Sequence, residues 1–128
     1  MMNKNDVLKD YAKDKEHYDF VLDNLCKLNT PYTMEYLSLF FLLGLISNAK
    51  GHIEQLFDFE NRCVKDLEEV DLSWASNTDL KLIALAYNLF TWKNSLNNDI
   101  LDYNLATIFS VDSNIKELMF NAIRLNNI

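Results

Sequence analysis

His52 and Cys63 flank one short stretch of chain, with Asp58 between them. A thiol beside an imidazole is a pairing used in nucleophilic catalysis, and a carboxylate can orient the imidazole. Such a pair also needs an oxyanion hole, often built from glycine-containing backbone, and the chain has only Gly44 and Gly51. The same side-chain types ligate metals. However, the two histidines, His17 and His52, lie far apart, and neither has a second ligand three or four residues on. Zinc sites use tighter spacing, so both histidines read as surface or capping residues. Glu54 and Asp58 stand at i,i+4 on one helix face. General acid–base work needs one carboxyl with a pKa raised by burial, and nothing in the sequence puts either acid in an apolar cleft. No G-x-G-x-x-G or G-K-[ST] run exists for a nucleotide phosphate. The expectation is a protein that is not an enzyme, with no catalytic, metal-binding or cofactor-binding residues.

Charge gives the stronger signal. The chain carries 12 Lys plus Arg against 19 Asp plus Glu, a net of −7. Residues 54–71 hold Glu54, Asp58, Glu60, Asp66, Glu68, Glu69 and Asp71 against only Arg62 and Lys65, so this stretch supplies five of the seven net charges. A charge run is most often a solvated face. It is also what a docking surface for a basic partner requires, because carboxylates spread over one face can fill the Lys and Arg groove of a nucleic-acid enzyme. Phe57, Phe59 and Trp74 lie beside it. Phe57 and Phe59 read as core, and Trp74, in a polar setting, as an aromatic anchor. The net charge opposes direct binding to nucleic acid or to anionic membrane. Residues 94–98 and the Asn-rich last helix offer Asn but almost no positive charge for a recognition helix.

These residues must be held by helices. Tyr18, Val21, Leu22, Leu25 and Leu28 recur at one-face spacing over Lys15–Leu28, with Asp14 placed to cap the start and Asn29 just past the end. Thr30-Pro31 reads as a cap followed by Pro at the first helical position. The next helix, about 31–48, is apolar nearly all round from Leu37 to Ile46, which marks it as the buried central helix. Gly51 suits a left-handed cap near its end. His52–Phe59 reads as a short helix that exits at Phe57-Asp58-Phe59. Ser76-x-x-Asp79 resembles a capping box that opens a helix from Asn77 or Thr78 to Trp92, with Leu80, Ile83, Ala84, Tyr87 and Phe90 inward. Lys93–Asp99 reads as a loop and Ile100–Phe109 as a short helix. A last helix, capped by Asp112 or Ser113, turns Ile115, Leu118, Met119, Ala122 and Ile123 inward.

The chain has 128 residues, 49% of them apolar and 24% charged, with 2 Gly and 1 Pro. That is one domain's worth, and it excludes disordered, collagen-like and turn-rich β classes. The fold expected is all-α: a single compact domain over 1–128, with five or six helices, a frayed or partly helical start at 1–13 and room for a short β-hairpin near 60–72. Cys26 and Cys63, each among apolar neighbours, read as buried free thiols of a reducing compartment. The polar N-terminus shows no secretory signal, and Tyr36–Ile46 is too short to span a bilayer. A cytoplasmic protein of a bacterial host cell is expected. Sixteen Asn and ten Lys against two Arg are associated with an AT-rich coding source, a low-GC bacterium or its phage.

Leu43-Gly44-Leu45, His52-Ile53, Phe57-Asp58-Phe59, Val64-Lys65, Trp74, Ala86-Tyr87-Asn88-Leu89-Phe90 and Ala122-Ile123 form one string over about residues 15–125. This string resembles a family of small uncharacterised proteins of Firmicutes and their phages and mobile elements. Asn48-Ala49-Lys50 stands where the family pattern has Asp-Thr-Arg, and Ala75-Ser76-Asn77-Thr78 replaces a Gln-Thr-Ser-Gly type turn. The resemblance brings no catalytic residue with it. The structural roles it implies are a cap for Asp58, a bond to a neighbouring helix end for Asn88, and closure of the core for Trp74.

Size, acidity and this origin point to a non-enzymatic protein-binding module. The expected role is inhibitor of a host nucleic-acid machine, such as an anti-CRISPR protein that occludes the basic surface of a CRISPR effector nuclease. Two alternatives come from other classes. One is a homodimer that regulates nucleic-acid processes. The other is a small accessory or enzymatic domain with a pocket around His52, Asp58 and Cys63.

Overall fold

Asp14 caps its helix as the sequence predicts, its Oδ1 accepting the His17 backbone N–H at 2.8 Å. That helix belongs to a computed structural model that describes residues 4–29, 33–91 and 104–127. Among the described residues there are seven α-helices: α1 (Lys4–Tyr11), α2 (Lys15–Lys27), α3 (Met34–Leu43), α4 (Ala49–Leu56), α5 (Asn77–Thr91), α6 (Leu105–Ile108) and α7 (Ser113–Asn126). Between α4 and α5 come two short antiparallel strands, β1 (Phe57–Asp58) and β2 (Cys63–Val64), and a 3₁₀ turn, Leu67–Glu69. The all-α class holds, with one helix more than expected. The addition is α1, inside the stretch read as a frayed or partly helical start. Val7 and Leu8 are buried there, and Asn121 Nδ2 of α7 donates to the Tyr11 carbonyl at 3.2 Å.

The centre is α3. Every side chain from Leu37 to Leu43 is buried, and the helix packs on α5, α7 and α2. A helix with no polar face has to be surrounded in this way. Its one buried hydroxyl, Ser38, shares its proton between Asn126 Oδ1 at 2.9 Å and the Glu35 carbonyl at 3.2 Å. The Thr30-Pro31 start falls outside the described residues. The helix ends at Leu43, earlier than expected, although burial continues to Ile46. A Cβ on Gly44 would lie 2.7 Å from Phe20 Cδ1 and 2.8 Å from His17 Cδ2, so glycine lets α2 close onto the end of α3. The left-handed residue before α4 is Asn48, at φ 49°, and Gly51 is not left-handed. Gly51 instead leaves room for Asn48, whose Nδ2 would be 2.5 Å from a Cβ there.

Ser76 and Asp79 form the reciprocal capping box of α5. The Asp79 N–H donates to Ser76 Oγ at 3.1 Å, and the Ser76 N–H donates to Asp79 Oδ2 at 3.0 Å. The other carboxylate oxygen accepts the Ser47 N–H at 3.0 Å and the Ser47 hydroxyl at 3.3 Å. One buried side chain thus ties the start of α5 to the α3–α4 connection. Asp112 caps α7 by accepting the Ile115 N–H at 2.9 Å, and α7 buries Met119, Ala122 and Leu125. Lys93–Asp99 and the expected start of a helix at Ile100 lie outside the described residues.

His17 is a further correction. It is 3% exposed, and both ring nitrogens are engaged. The Lys13 N–H donates to Nδ1 at 3.0 Å, which makes Nε2 the protonated nitrogen, and that N–H donates to the Phe41 carbonyl at 2.7 Å.

Candidate functional site

The acidic stretch is carried by α4, the hairpin and the 3₁₀ turn. In the hairpin Phe57 pairs with Val64 and Asp58 with Cys63. Strand alternation then sorts the residues: Phe57 is buried and Val64 packs against the core, while Cys63 is exposed. The strands sit at 57–64, ahead of the expected 60–72, because Asp58 builds the turn. Its Oδ1 accepts the Glu60 N–H at 3.0 Å and the Asn61 N–H at 3.1 Å, and its Oδ2 accepts Asn61 Nδ2 at 2.7 Å. Arg62, at φ 56°, completes the reversal. These bonds, the Asn61 side chain first, hold the Asp58 pKa below the usual carboxylate value.

Three attachments fix this unit to the core. Tyr36 Oη donates to the Arg62 carbonyl at 3.1 Å. Arg62 Nε donates to the Leu28 carbonyl at the end of α2, at 3.2 Å. The buried Tyr87 hydroxyl lies 3.0 Å from the Leu56 carbonyl and 2.9 Å from the Lys65 carbonyl, bridging the two sides of the hairpin. Burial pushes the Tyr87 pKa up, which keeps the bridging proton in place. Beneath them Phe57 makes edge contacts with Phe40 at 5.1 Å and Phe59 at 4.9 Å, so both hairpin phenylalanines serve the core as expected. Tyr87→Phe keeps the ring and removes the bridge. Its expected cost is about 1–2 kcal/mol, read as a lower urea midpoint at unchanged slope.

Above the hairpin opens a cavity of about 620 Å³, lined by Gln55, Asp58, Cys63, Lys65, Asp66 and Glu69 among others. Glu54, Glu60, Asp66, Glu68, Glu69 and Asp71 are exposed, and Asp58 is half-buried. Asp66 accepts the Glu68 N–H and Asp71 the Ser73 N–H, each at 3.0 Å. The bond from Ser73 holds the Asp71 pKa low as well. Among the described residues the ion pairs are Lys15–Asp19 and Arg124–Glu117, and neither touches this face. Arg62, which could neutralise its neighbours, is drawn away to Leu28.

Among the other sequence candidates, His52, Cys26, Cys63 and Asn88 are placed differently from the expectation. His52 does not line the cavity that holds Asp58 and Cys63. Its ring stacks on Trp74 at 3.7 Å between centroids and 5° between planes. Gln55 Oε1 joins the two, accepting Trp74 Nε1 at 3.1 Å and lying 3.3 Å from His52 Nδ1. Trp74 is half-buried and packs against the core, with one ring face taken by His52. Cys26 and Cys63 are both exposed, contrary to the expectation of buried thiols. Asn88 Nδ2 bonds the Ala84 carbonyl of its own helix at 2.9 Å, and the expected bond to a neighbouring helix end is not the one made. Among the described residues no three His, Cys, Asp or Glu side chains are grouped to hold a metal ion, and no helix is long and apolar enough to cross a membrane.

The model of a family of unknown function, DUF6075, matches residues 9–127. No curated protein and no solved structure matches the chain.

Proposed function

The chain belongs to DUF6075, a family of unknown function, and from that premise we propose that it is a non-enzymatic protein-binding module whose acidic face covers a basic surface of a nucleic-acid-binding effector. The observation that carries this reading is the unpaired state of the face. Of the seven carboxylates of residues 54–71, Asp58, Asp66 and Glu69 line one cavity together with Lys65, and none of the seven has a cation within ion-pair distance among the described residues. The most concrete form of the proposal is an anti-CRISPR protein, carried on phage or mobile DNA, that fills the nucleic-acid groove of a CRISPR effector nuclease. Lys and Arg that evolved to meet phosphates can meet carboxylates arranged on a rigid frame. The Tyr36, Tyr87 and Arg62 attachments supply that frame.

Capture of partners from a lysate of a low-GC bacterium that carries CRISPR systems tests it. The expected result is one large basic nuclease, released by moderate salt. Glu68→Lys with Glu69→Lys reverses two exposed charges without touching the core, and it is expected to weaken capture at least ten-fold, by about 1.4 kcal/mol or more. Unchanged capture by this variant would leave the acidic face as a solvated surface.

A further inference from the structure

His17 holds two parts of the chain at once, and a proton acts on only one of them. Its Nδ1 accepts the Lys13 N–H at 3.0 Å, in the turn that joins α1 to α2. Its Nε2–H donates to the Phe41 carbonyl at 2.7 Å, in the last turn of α3. The helical partner of that carbonyl would be the Leu45 N–H, which bonds Leu42 instead at 3.1 Å. The ring thus satisfies an orphan carbonyl at the end of α3 while it ties down the turn.

Nδ1 is an acceptor here, so it can take a proton only by giving up the Lys13 N–H. Nε2 keeps its proton in either state, and a cationic ring donates to a helix-terminal carbonyl more strongly than a neutral one. Acid therefore breaks one attachment and strengthens the other. The charged groups about the ring are Lys13, Asp14 and Glu16, from the turn and the start of α2, and Lys50, from the first turn of α4. From α3 come the Phe41 carbonyl and the Phe41 ring, edge-on at 4.5 Å between centroids. Together with His17 and Gly44, the four charged residues line a cavity of about 310 Å³, which gives solvent a route to the turn. Asp14, whose Oδ1 accepts the His17 backbone N–H at 2.8 Å, is the anion on hand to receive a new Nδ1–H. Burial has the largest influence on the His17 pKa and lowers it; the Phe41 bond raises it, Lys13 lowers it and Asp14 raises it.

The turn matters because α1 depends on it. Among the described residues, two hydrogen bonds tie 4–13 to the rest of the chain. One is the Lys13 bond to His17, and the other runs from Asn121 Nδ2 to the Tyr11 carbonyl. Val7 and Leu8 supply its buried surface. A helix of eight residues does not persist without such support.

We propose that His17 is a proton-operated latch: one proton from solvent, placed on Nδ1, releases the α1–α2 turn and with it α1, while α2 stays docked on α3. In the closed state Nδ1 accepts from Lys13. In the open state Nδ1–H donates to the Asp14 carboxylate, and the Lys13 N–H turns to water in the adjoining cavity. The device opens one end of the molecule and leaves the core helices in place.

Amide hydrogen exchange of the full chain tests the latch, read residue by residue by NMR and corrected for the intrinsic pH dependence. The pH is lowered from about 7.5 to the acid onset of global unfolding. Protection at residues 8–13 is expected to fall about ten-fold or more before any is lost in α3 or α5. The ring ¹⁵N shifts of His17 are expected to show the Nε2–H tautomer at neutral pH and protonation of Nδ1 over the same interval. His17→Gln is expected to abolish the pH dependence of the α1 amides. Asp14→Asn keeps a capping oxygen and removes the anion, so release is expected to move to lower pH by about half a unit. Loss of protection in α1 and α3 together would overturn the proposal, and so would a proton on Nδ1 at neutral pH. An unshifted release in Asp14→Asn would overturn the open state with its Nδ1–H on Asp14. None of these outcomes touches the acidic face, whose test is partner capture.

Discussion

Replacing Asp79 with alanine is expected to cost about 3 kcal/mol of stability, a large share of what a domain of this size has. The carboxylate is 3% exposed and accepts from the Ser47 N–H, the Ser47 hydroxyl and the Ser76 N–H. Alanine leaves two part-buried backbone donors, on Ser47 and Ser76, without their acceptor and opens the capping box of α5. Hydrogen bonds to a carboxylate are worth more than those to a neutral group, and an orphaned buried donor carries its own desolvation penalty. Asp79→Asn keeps one acceptor oxygen but turns an amide donor toward one of the same N–H groups, so an intermediate loss is expected. Urea unfolding of the two variants measures both effects. A loss under about 1 kcal/mol for Asp79→Ala would mean that water reaches Ser47 and Ser76 and that the bridge is not structural.

The second large effect is acid sensitivity centred on His17. Burial lowers its pKa below the ordinary 6.5, and the Lys13 charge adds to this. The bond to the Phe41 carbonyl and the Asp14 charge act the other way but do not prevail. The folded state therefore holds fewer protons than the unfolded state between the two pKa values, and stability rises with pH in that window. The contribution is fully present above about pH 6.5 and is lost as pH falls through the lowered folded value. The geometry gives the reason: a protonated ring would aim an Nδ1–H at the Lys13 N–H that now donates to it. The unfolding free energy of the native chain is expected to fall on acidification below pH 6.5, and that of His17→Gln to fall less over the same range. At neutral pH His17→Ala is expected to cost about 3 kcal/mol, from lost packing and two orphaned backbone groups. Parallel pH curves for the native chain and the His17→Gln variant would show that the acid response comes from other groups.

Local signals made much of this fold readable. Asp14, Ser76 with Asp79, and Asp112 each cap the helix their position announces, because a cap depends on a few adjacent residues. The apolar run from Leu37 placed the central helix, but not its end. Leu45 and Ile46 stay against or within the core after the helix stops, so burial alone does not mark a terminus. The buried face of α2 shows the limit of counting apolar residues. His17, Phe20, Val21, Asn24 and Leu25 face inward, and two of these are polar. Their spacing was the available signal, since His17 and Asn24 fall on the same helical stripe as Val21 and Leu28. Their residue types concealed it. Cys63 failed in the opposite way: it has an apolar neighbour, Val64, but adjacent strand residues point to opposite sides. The acidic face itself was legible as a charge run. What the sequence could not show was that Arg62 would turn to Leu28, because that contact joins elements far apart in the chain.

The character of α3 has a consequence for how the protein is made. Its side chains from Leu37 to Leu43 are hidden by α2, which precedes it, and by α5 and α7, which follow. During synthesis α3 leaves the ribosome before α5 and α7 have been translated. Ser38 waits for Asn126, 88 residues further on, and at about 5–20 residues per second that wait is on the order of ten seconds. Until then the chain exposes a sticky helix, the kind of surface that chaperones hold and that nucleates aggregation when they do not. The order of the elements along the chain thus makes closure of the core wait for α7, and any ribosomal pause between Leu43 and Ser113 lengthens the exposure.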